Sequence, residues 1–357
     1  MVTFDTNMKA NFRKYTLKFK RPSGTSRGIL HEKDTYFLMV SNDGKTGIGE
    51  CGLLRGLSAD DVPDYEEKLQ WACENIHLGE KALLQELRAY PSIRFGIEQA
   101  FLSVKSENPF VLFPSRFTEE ESPIEINGLV WMGNEDFMLE QIKKKIESGF
   151  NCIKMKIGAI DFATELTILA SIRKKFSKDA IELRVDANGA FSPKEALGKL
   201  HELSQFDIHS IEQPIKPGQW SAMRVLCEQT PIAIALDEEL IGVNAVTEKV
   251  DMLQTIQPQY IILKPSLAGG FASSLEWIRL AEKLGIGWWV TSALESNIGL
   301  NAIAQWTFTL GSKLPQGLGT GGLYTNNFES PLQVENGKLF YRKDLSWQTA
   351  LIEELCT

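Results

Sequence analysis

Cys152-Ile153-Lys154-Met155-Lys156, Leu183-Arg184-Val185-Asp186, Ser210-Ile211-Glu212, Ile234-Ala235-Leu236-Asp237 and Ile261-Ile262-Leu263-Lys264 are five short apolar runs, each closed by a charged residue. Apolar, β-rich segments of this length, bounded by polar residues, are the mark of strands buried on both faces. An unpaired carboxylate or ammonium in such a strand is heavily penalised. Three acids among lysines therefore need mutual pairing or a bound cation.

The spacing says how the runs are arranged. Lys156 to Asp186 is 30 residues, and the steps on to Glu212, Asp237 and Lys264 are 26, 25 and 27, each enough for one strand, one helix and two short loops. Apolar residues at helical spacing lie between them: Met138, Ile142 and Ile146; Leu169, Ile172 and Phe176; Ala196, Leu200 and Leu203; Leu275, Ile278 and Ala281. Extending the rhythm adds Ile124–Asn127 before the ladder, with Gly287–Thr291 and Gln316–Gly319 after it. Eight strands with seven intervening helices predict an α/β fold, a modified TIM-type (β/α)7β barrel. In such a barrel the strands' C-terminal ends carry the active site. A doubly wound sheet would gather its ligand residues at one switch point instead of taking one from each successive strand.

The flanking segments have a different texture. Alternating runs at Phe12–Lys20 and Tyr36–Ser41, the turn Asn42-Asp43-Gly44-Lys45 and helical patterns over 64–106 predict an α+β capping domain over residues 1–122. The Pro- and acid-bearing stretch from Phe113-Pro114 to Ser122-Pro123 reads as a linker, the barrel is expected over 123–323, and 324–357 is expected to return to the cap.

Composition excludes several function classes. A formal charge of −8 disfavours nucleic-acid and anionic-membrane partners, and the stretch Met1–Asp5 lacks the basic-then-apolar pattern of a leader, so a cytoplasmic protein is expected. The five cysteines are odd in number and never spaced as CxxC, which predicts small buried side chains and no thiolate zinc site. His31, His77, His201 and His209 show no metal or triad spacing. Oligomeric state is not written in these patterns.

Three carboxylates on adjacent strands, with no His or Cys beside them, offer oxygen ligands only. Asp186, Glu212 and Asp237 thus suit a hard divalent cation, Mg2+ with Mn2+ as the alternative, that leaves positions for a small anionic carboxylate substrate. Glu238 or Glu239 could replace Asp237 as the third ligand. Lys154 and Lys156 project to the same side of their strand, where like-charge repulsion and burial would lower a lysine pKa and make one of them a base. Lys264, several strands away, approaches from the opposite side.

Lys154-Met155-Lys156, Asp186-Ala187-Asn188, Glu212-Gln213-Pro214, Asp237-Glu238 and Lys264-Pro265 together resemble the muconate-lactonising-enzyme subgroup of the enolase superfamily, in order and over nearly the whole chain. A lysine base beside Mg2+ and an enediolate is a stated pattern of that superfamily. Ser292–Gly299 and Gly317–Gly321 resemble the branch that dehydrates 2-succinyl-6-hydroxy-2,4-cyclohexadiene-1-carboxylate to o-succinylbenzoate, a menaquinone precursor. The resemblance implies Lys156 as acid/base, Lys264 as stabiliser of the enediolate, Asp186, Glu212 and Asp237 as metal ligands, and Lys154, Asn188 and Ser292 as substrate contacts.

Rival readings stand beside these. Lys154 could only salt-bridge a carboxylate, Asn188 could only shape a turn with Gly189, and the cap stretches Arg27-Gly28 and Gly52–Ser58 either close over the pocket or are solvated loops. Two opposed lysines also suit an N-acylamino acid racemase or a dipeptide epimerase. Dipeptide epimerases of this type hold the substrate ammonium with Asp-x-Asp in the last strand, and Gly317-Leu318-Gly319-Thr320-Gly321 has none. A non-catalytic metabolite-binding barrel is the remaining alternative.

Overall fold

The computed structural model describes residues 7–25, 28–131 and 133–348. Residues 1–6 of the expected cap, Arg27 of its expected closing loop, and 349–357 of the expected tail, Cys356 included, lie outside the described residues. The other four cysteines are free and buried.

Three antiparallel strands open the chain: β1 Lys9–Thr25, β2 Gly28–Asn42 and β3 Lys45–Cys51. Asp43 and Gly44 turn β2 into β3 with φ of 48° and 80°, the left-handed pair that a two-residue Asp-Gly hairpin requires. Helices α1 Tyr65–Glu74, α2 Glu80–Glu86 and α3 Pro91–Lys105 cover the sheet. The α3–β3 contact is close because it is built from small residues: a Cβ on Gly49 would stand 2.0 Å from the carbonyl oxygen of Gly96. A short α4, Arg116–Glu119, lies in the stretch expected as a linker, and neighbouring Glu121 accepts from Arg342 and from the backbone of Lys343.

The expected first barrel strand requires a correction. Ile124–Glu125 is β4, which pairs antiparallel with the late hairpin β12 Leu332–Glu335 and β13 Lys338–Tyr341, and the barrel begins one step later at β5 Gly128–Val130. The run from Ile124 to Val130 is long enough to serve two sheets, and side-chain pattern alone does not say where it divides. After α5 Glu135–Glu147 the expected rhythm follows: β6 Cys152–Lys156, α6 Phe162–Lys175, β7 Glu182–Asp186, α7 Pro193–Leu203, β8 Ile208–Glu212, α8 Trp220–Gln229, β9 Ala233–Leu236, α9 Val246–Ile256 and β10 Tyr260–Leu263. A single turn, α10 Pro265–Ala268, precedes α11 Gly270–Lys283, β11 Gly287–Val290 and α12 Asn297–Leu310. β5 to β11 form one parallel sheet in sequential order. The expected eighth strand is reduced to bridges, Ile126 with Gln316 on one side and Thr291 with Gly317 on the other, and these close the curl. Gly317 is small for a reason, since a Cβ there would stand 2.0 Å from Thr291 Oγ1.

Strand alternation sorts the side chains. Ile153, Met155, Leu183, Val185, Ile211 and Leu236 pack outward against the helices in the main core. Trp288 joins that core, while its neighbour Trp289 packs inside the barrel with Ala235 and Ile262, its ring 4.3 Å from the Arg184 guanidinium. The next inward layer is the charged one.

Two buried carboxylates join cap to barrel. Glu98 of α3 accepts from the backbone N–H groups of Phe271 and Ala272 at the start of α11, beside Gly270, where a Cβ would stand 2.1 Å from Glu98 Oε2. Glu50 of β3 accepts from the Thr35 hydroxyl, from the Ser296 N–H and hydroxyl, and from the Gly299 N–H.

Candidate active site

Register brings the ladder together. Lys156 lies opposite Asp186, and Asp186 opposite Glu212. Asp237 and Lys264 immediately follow β9 and β10, so five successive strands end in charge at the same mouth. A cavity there is lined by Lys154, Lys156, Asp186, Asn188, Lys264 and Ser292. Glu212 and Asp237 stand behind these, each 2% exposed.

Hydrogen bonds neutralise this buried charge. Lys154 Nζ donates to Asp186 Oδ2 at 3.1 Å and to Glu212 Oε2 at 2.6 Å, while Lys156 Nζ donates to Asp186 Oδ2 at 3.1 Å and to Asn188 Oδ1 at 2.7 Å. Lys264 Nζ donates to Asp237 Oδ2. Every ladder member thus touches one of opposite sign.

The electrostatics differ from expectation for Lys154. Burial opposes charge on Lys154, but the Glu212 and Asp186 carboxylates outweigh it and its pKa is raised. Lys264 is likewise disfavoured by burial and raised by Asp237 and Glu212. Like-charge repulsion does not decide the outcome for these two, because each donates directly to a buried carboxylate. Burial and the neighbouring Asp186 push Glu212 up to about 8, whereas Asp186 resists its own burial because Lys156 and Lys154 hold it well below the usual carboxylate range.

Among the described residues no three acids stand at metal-ligand separations. Lysines account for it, since Lys154 sits between Asp186 and Glu212 and Lys264 holds Asp237. The donor set itself fits a hard cation: three oxygen-only carboxylates on adjacent strand ends, all nearly inaccessible, with Glu212 Oε1 hydrogen-bonded to none of the described residues. Glu239 is committed elsewhere, accepting from Gln213 Nε2 and the Gly218 N–H. Glu238 accepts from Asn188 Nδ2 and so braces the amide whose oxygen holds Lys156.

Asn188 has φ of 44° and its backbone N–H donates to Asp186 Oδ1, so it shapes the turn and also touches the lysine. Ser292 Oγ shares a hydrogen bond of 2.6 Å with Thr320 Oγ1. Leu54, Arg55 and Leu57 of the cap stretch line the cavity, and Arg55 pairs with Asp61 at 2.5 Å. Thr320 and Gln213 escaped the sequence reading of roles, and Glu238 was read there only as an alternative metal ligand, not as the brace of Asn188. Gln213 accepts from the backbone N–H groups of Asp237 and Glu239, fixing the turn that aims Asp237. Its signal was its place beside Glu212 in Glu-Gln-Pro.

A capped barrel whose strand ends carry lysines around buried carboxylates defines a class, the barrel enzymes that remove a proton from carbon beside a carboxylate. Residues 138–343 match the family model "Enolase C-terminal domain-like". The chain is 47% identical to o-succinylbenzoate synthase of Desulfotalea psychrophila, over 94% of this chain and 99% of that one. The crystal structure of MenC from Desulfotalea psychrophila superposes with a TM-score of 0.84 at 43% identity, covering 94% of this chain and all, 100%, of the other. The fold extends to a dipeptide epimerase from Enterococcus faecalis complexed with Mg and the dipeptide L-Leu-L-Tyr, TM-score 0.81 at 18% identity, covering 94% and 97% of the two chains. The chain belongs to the enolase superfamily and, within it, to the o-succinylbenzoate synthase family.

Proposed function

We propose that the chain is a Mg2+-dependent hydro-lyase that converts 2-succinyl-6-hydroxy-2,4-cyclohexadiene-1-carboxylate to o-succinylbenzoate and water, a step toward menaquinone. The observation that carries the reading is one cavity lined by Lys156 and Lys264 from strands four apart, with the buried carboxylates behind them, in a chain of this family.

Asp186, Glu212 and Asp237 would hold the cation, which supplies positive charge for the substrate's ring carboxylate and replaces the lysines as counter-charge to the acids. Lys156, freed of Asp186 and acting as the neutral amine, takes the proton from the ring carbon bearing the carboxylate and becomes an ammonium, and the electron pair moves into that carboxylate. The pair then returns to the ring, the C6–O bond breaks, and the Lys156 ammonium gives its proton to the departing hydroxide. Lys264 faces the same cavity and stabilises the negative charge developed between the two steps. Asn188 positions Lys156, and Ser292 with Thr320 offers hydroxyls at the rim.

Ultraviolet absorbance tests the reading directly. With Mg2+ and the cyclohexadiene substrate the spectrum should change as the benzoate ring forms, and EDTA should abolish the change. A flat trace together with deuterium exchange into an N-succinylamino acid would replace the dehydratase by a racemase, because two lysines on one cavity also suit a 1,1-proton transfer.

A further inference from the structure

The substrate proposed above is a dianion, and the ladder accounts for only one of its carboxylates. The second ends the succinyl tail and needs its own complement, since a carboxylate leaving water for a cavity is costly unless paired. Five cations line the cavity: Arg55, Lys145, Lys154, Lys156 and Lys264. Arg55 is paired with Asp61, Lys154 with Asp186 and Glu212, Lys156 with Asp186, and Lys264 with Asp237. Lys145 alone has no carboxylate partner among the described residues.

Its place explains how it reaches the cavity. Lys145 lies on α5, outside the strands, and its stem crosses Gly128 of β5 so closely that a Cβ there would stand 3.0 Å from Lys145 Cδ. No ladder joins β5 to Leu318–Thr320: the backbone pairing between the two stretches ends at the bridge from Ile126 to Gln316. The cavity extends along this seam beyond the bridge, where Asn127, Leu129, Phe150, Gly317 and Gly319 line it. The Lys145 ammonium sits 4.8 Å from the Phe150 ring centroid, and Lys145 also lines the neighbouring cavity beyond the seam. Burial lowers the Lys145 pKa and no described acid offsets it, which is the state of a cation still lacking its anion.

We infer that Lys145 is the specificity-determining cation of this site, receiving the succinyl carboxylate of a substrate whose tail lies in the seam between β5 and Leu318–Thr320; the inference rests on the proposed dehydratase reading. Lys145 touches no reacting atom, so its effect falls on binding.

The test compares affinity and turnover. The wild-type holoenzyme with Mg2+ should bind o-succinylbenzoate at least tenfold more tightly than the product's tail monoamide by calorimetry, and equal affinities would overturn the inference without need of any variant. Lys145→Met should raise KM for the cyclohexadiene substrate at least tenfold, lower kcat less than threefold and remove the preference for carboxylate over amide, while Lys145→Arg restores it. A Lys145→Met protein that keeps the preference, or loses amide and carboxylate affinity equally, overturns the inference and leaves the dehydratase reading standing. A wild-type enzyme without turnover overturns that reading and takes the inference with it.

Discussion

Asn188 shows how much one residue carries at this site. Its φ of 44° suits Asn better than most residues, its N–H donates to Asp186, its oxygen accepts from Lys156 and its amide donates to Glu238. Asn188→Ala should cost about 1–2 kcal/mol of stability in denaturant melts from strain and lost hydrogen bonds, and lower kcat more than it raises KM because Lys156 loses its orientation. Lys156→Ala should keep the far-ultraviolet dichroism of the wild type and lose about 10²–10⁴-fold in kcat, the usual worth of a general acid–base group. At this scale the strand-end placement of the three acids and Lys264 was legible in the sequence because each ends an apolar run, where charge is too costly to be casual. The contacts of Glu238 with Asn188 and of Thr320 with Ser292 were not, because the partners lie 50 residues apart in one case and 28 in the other.

Among the elements, β3 and α3 pack through a face with almost no side chains. Cβ atoms on Gly47 and Gly49 would fall 2.3 Å from Val104 N and 2.0 Å from Gly96 O, so backbone would have to move for either. Gly49→Ala should therefore destabilise by about 3 kcal/mol or more, read as a lower melting temperature, with the loss shared by every probe of the cap. Helices α5, α6, α7 and α11 and the interior strands were legible because their apolar periods are regular. The division of Ile124–Val130 between two sheets was not, since its second sheet is completed by Lys338–Tyr341, more than 200 residues on. Nor was the thinness of the eighth strand, whose glycines serve a close approach to Thr291 and not a ladder.

At the scale of the molecule, stability should depend on pH through Glu98. Burial pushes this carboxyl up to about 7, and the N–H groups of Ala272 and Phe271 only partly oppose it. A folded-state pKa above the unfolded value of about 4.5 means that the folded protein holds the proton more tightly. This stabilisation is complete below pH 4.5 and lost as pH rises to about 7, on the order of 3 kcal/mol in all. Wild type minus Glu98→Gln, melted in parallel between pH 4.5 and 8, should isolate that slope; coincident curves would assign it to other groups. Chelation acts through the centre instead: EDTA should abolish turnover and leave the cap sheet's dichroism intact.

Glu50 takes hydrogen bonds from both halves of the chain at once, from Thr35 on one side and from Ser296 and Gly299 on the other. Lys33, 4% exposed and hydrogen-bonded through Nζ to none of the described residues, has its pKa lowered by burial, which the charges of Glu50 and Glu295 only partly offset. Severing the polypeptide between the two halves would therefore leave an anion on one fragment and its Ser296 and Gly299 donors on the other. Neither fragment produced separately should reach the native state, but mixed in equimolar amounts they should complement one another and regain activity.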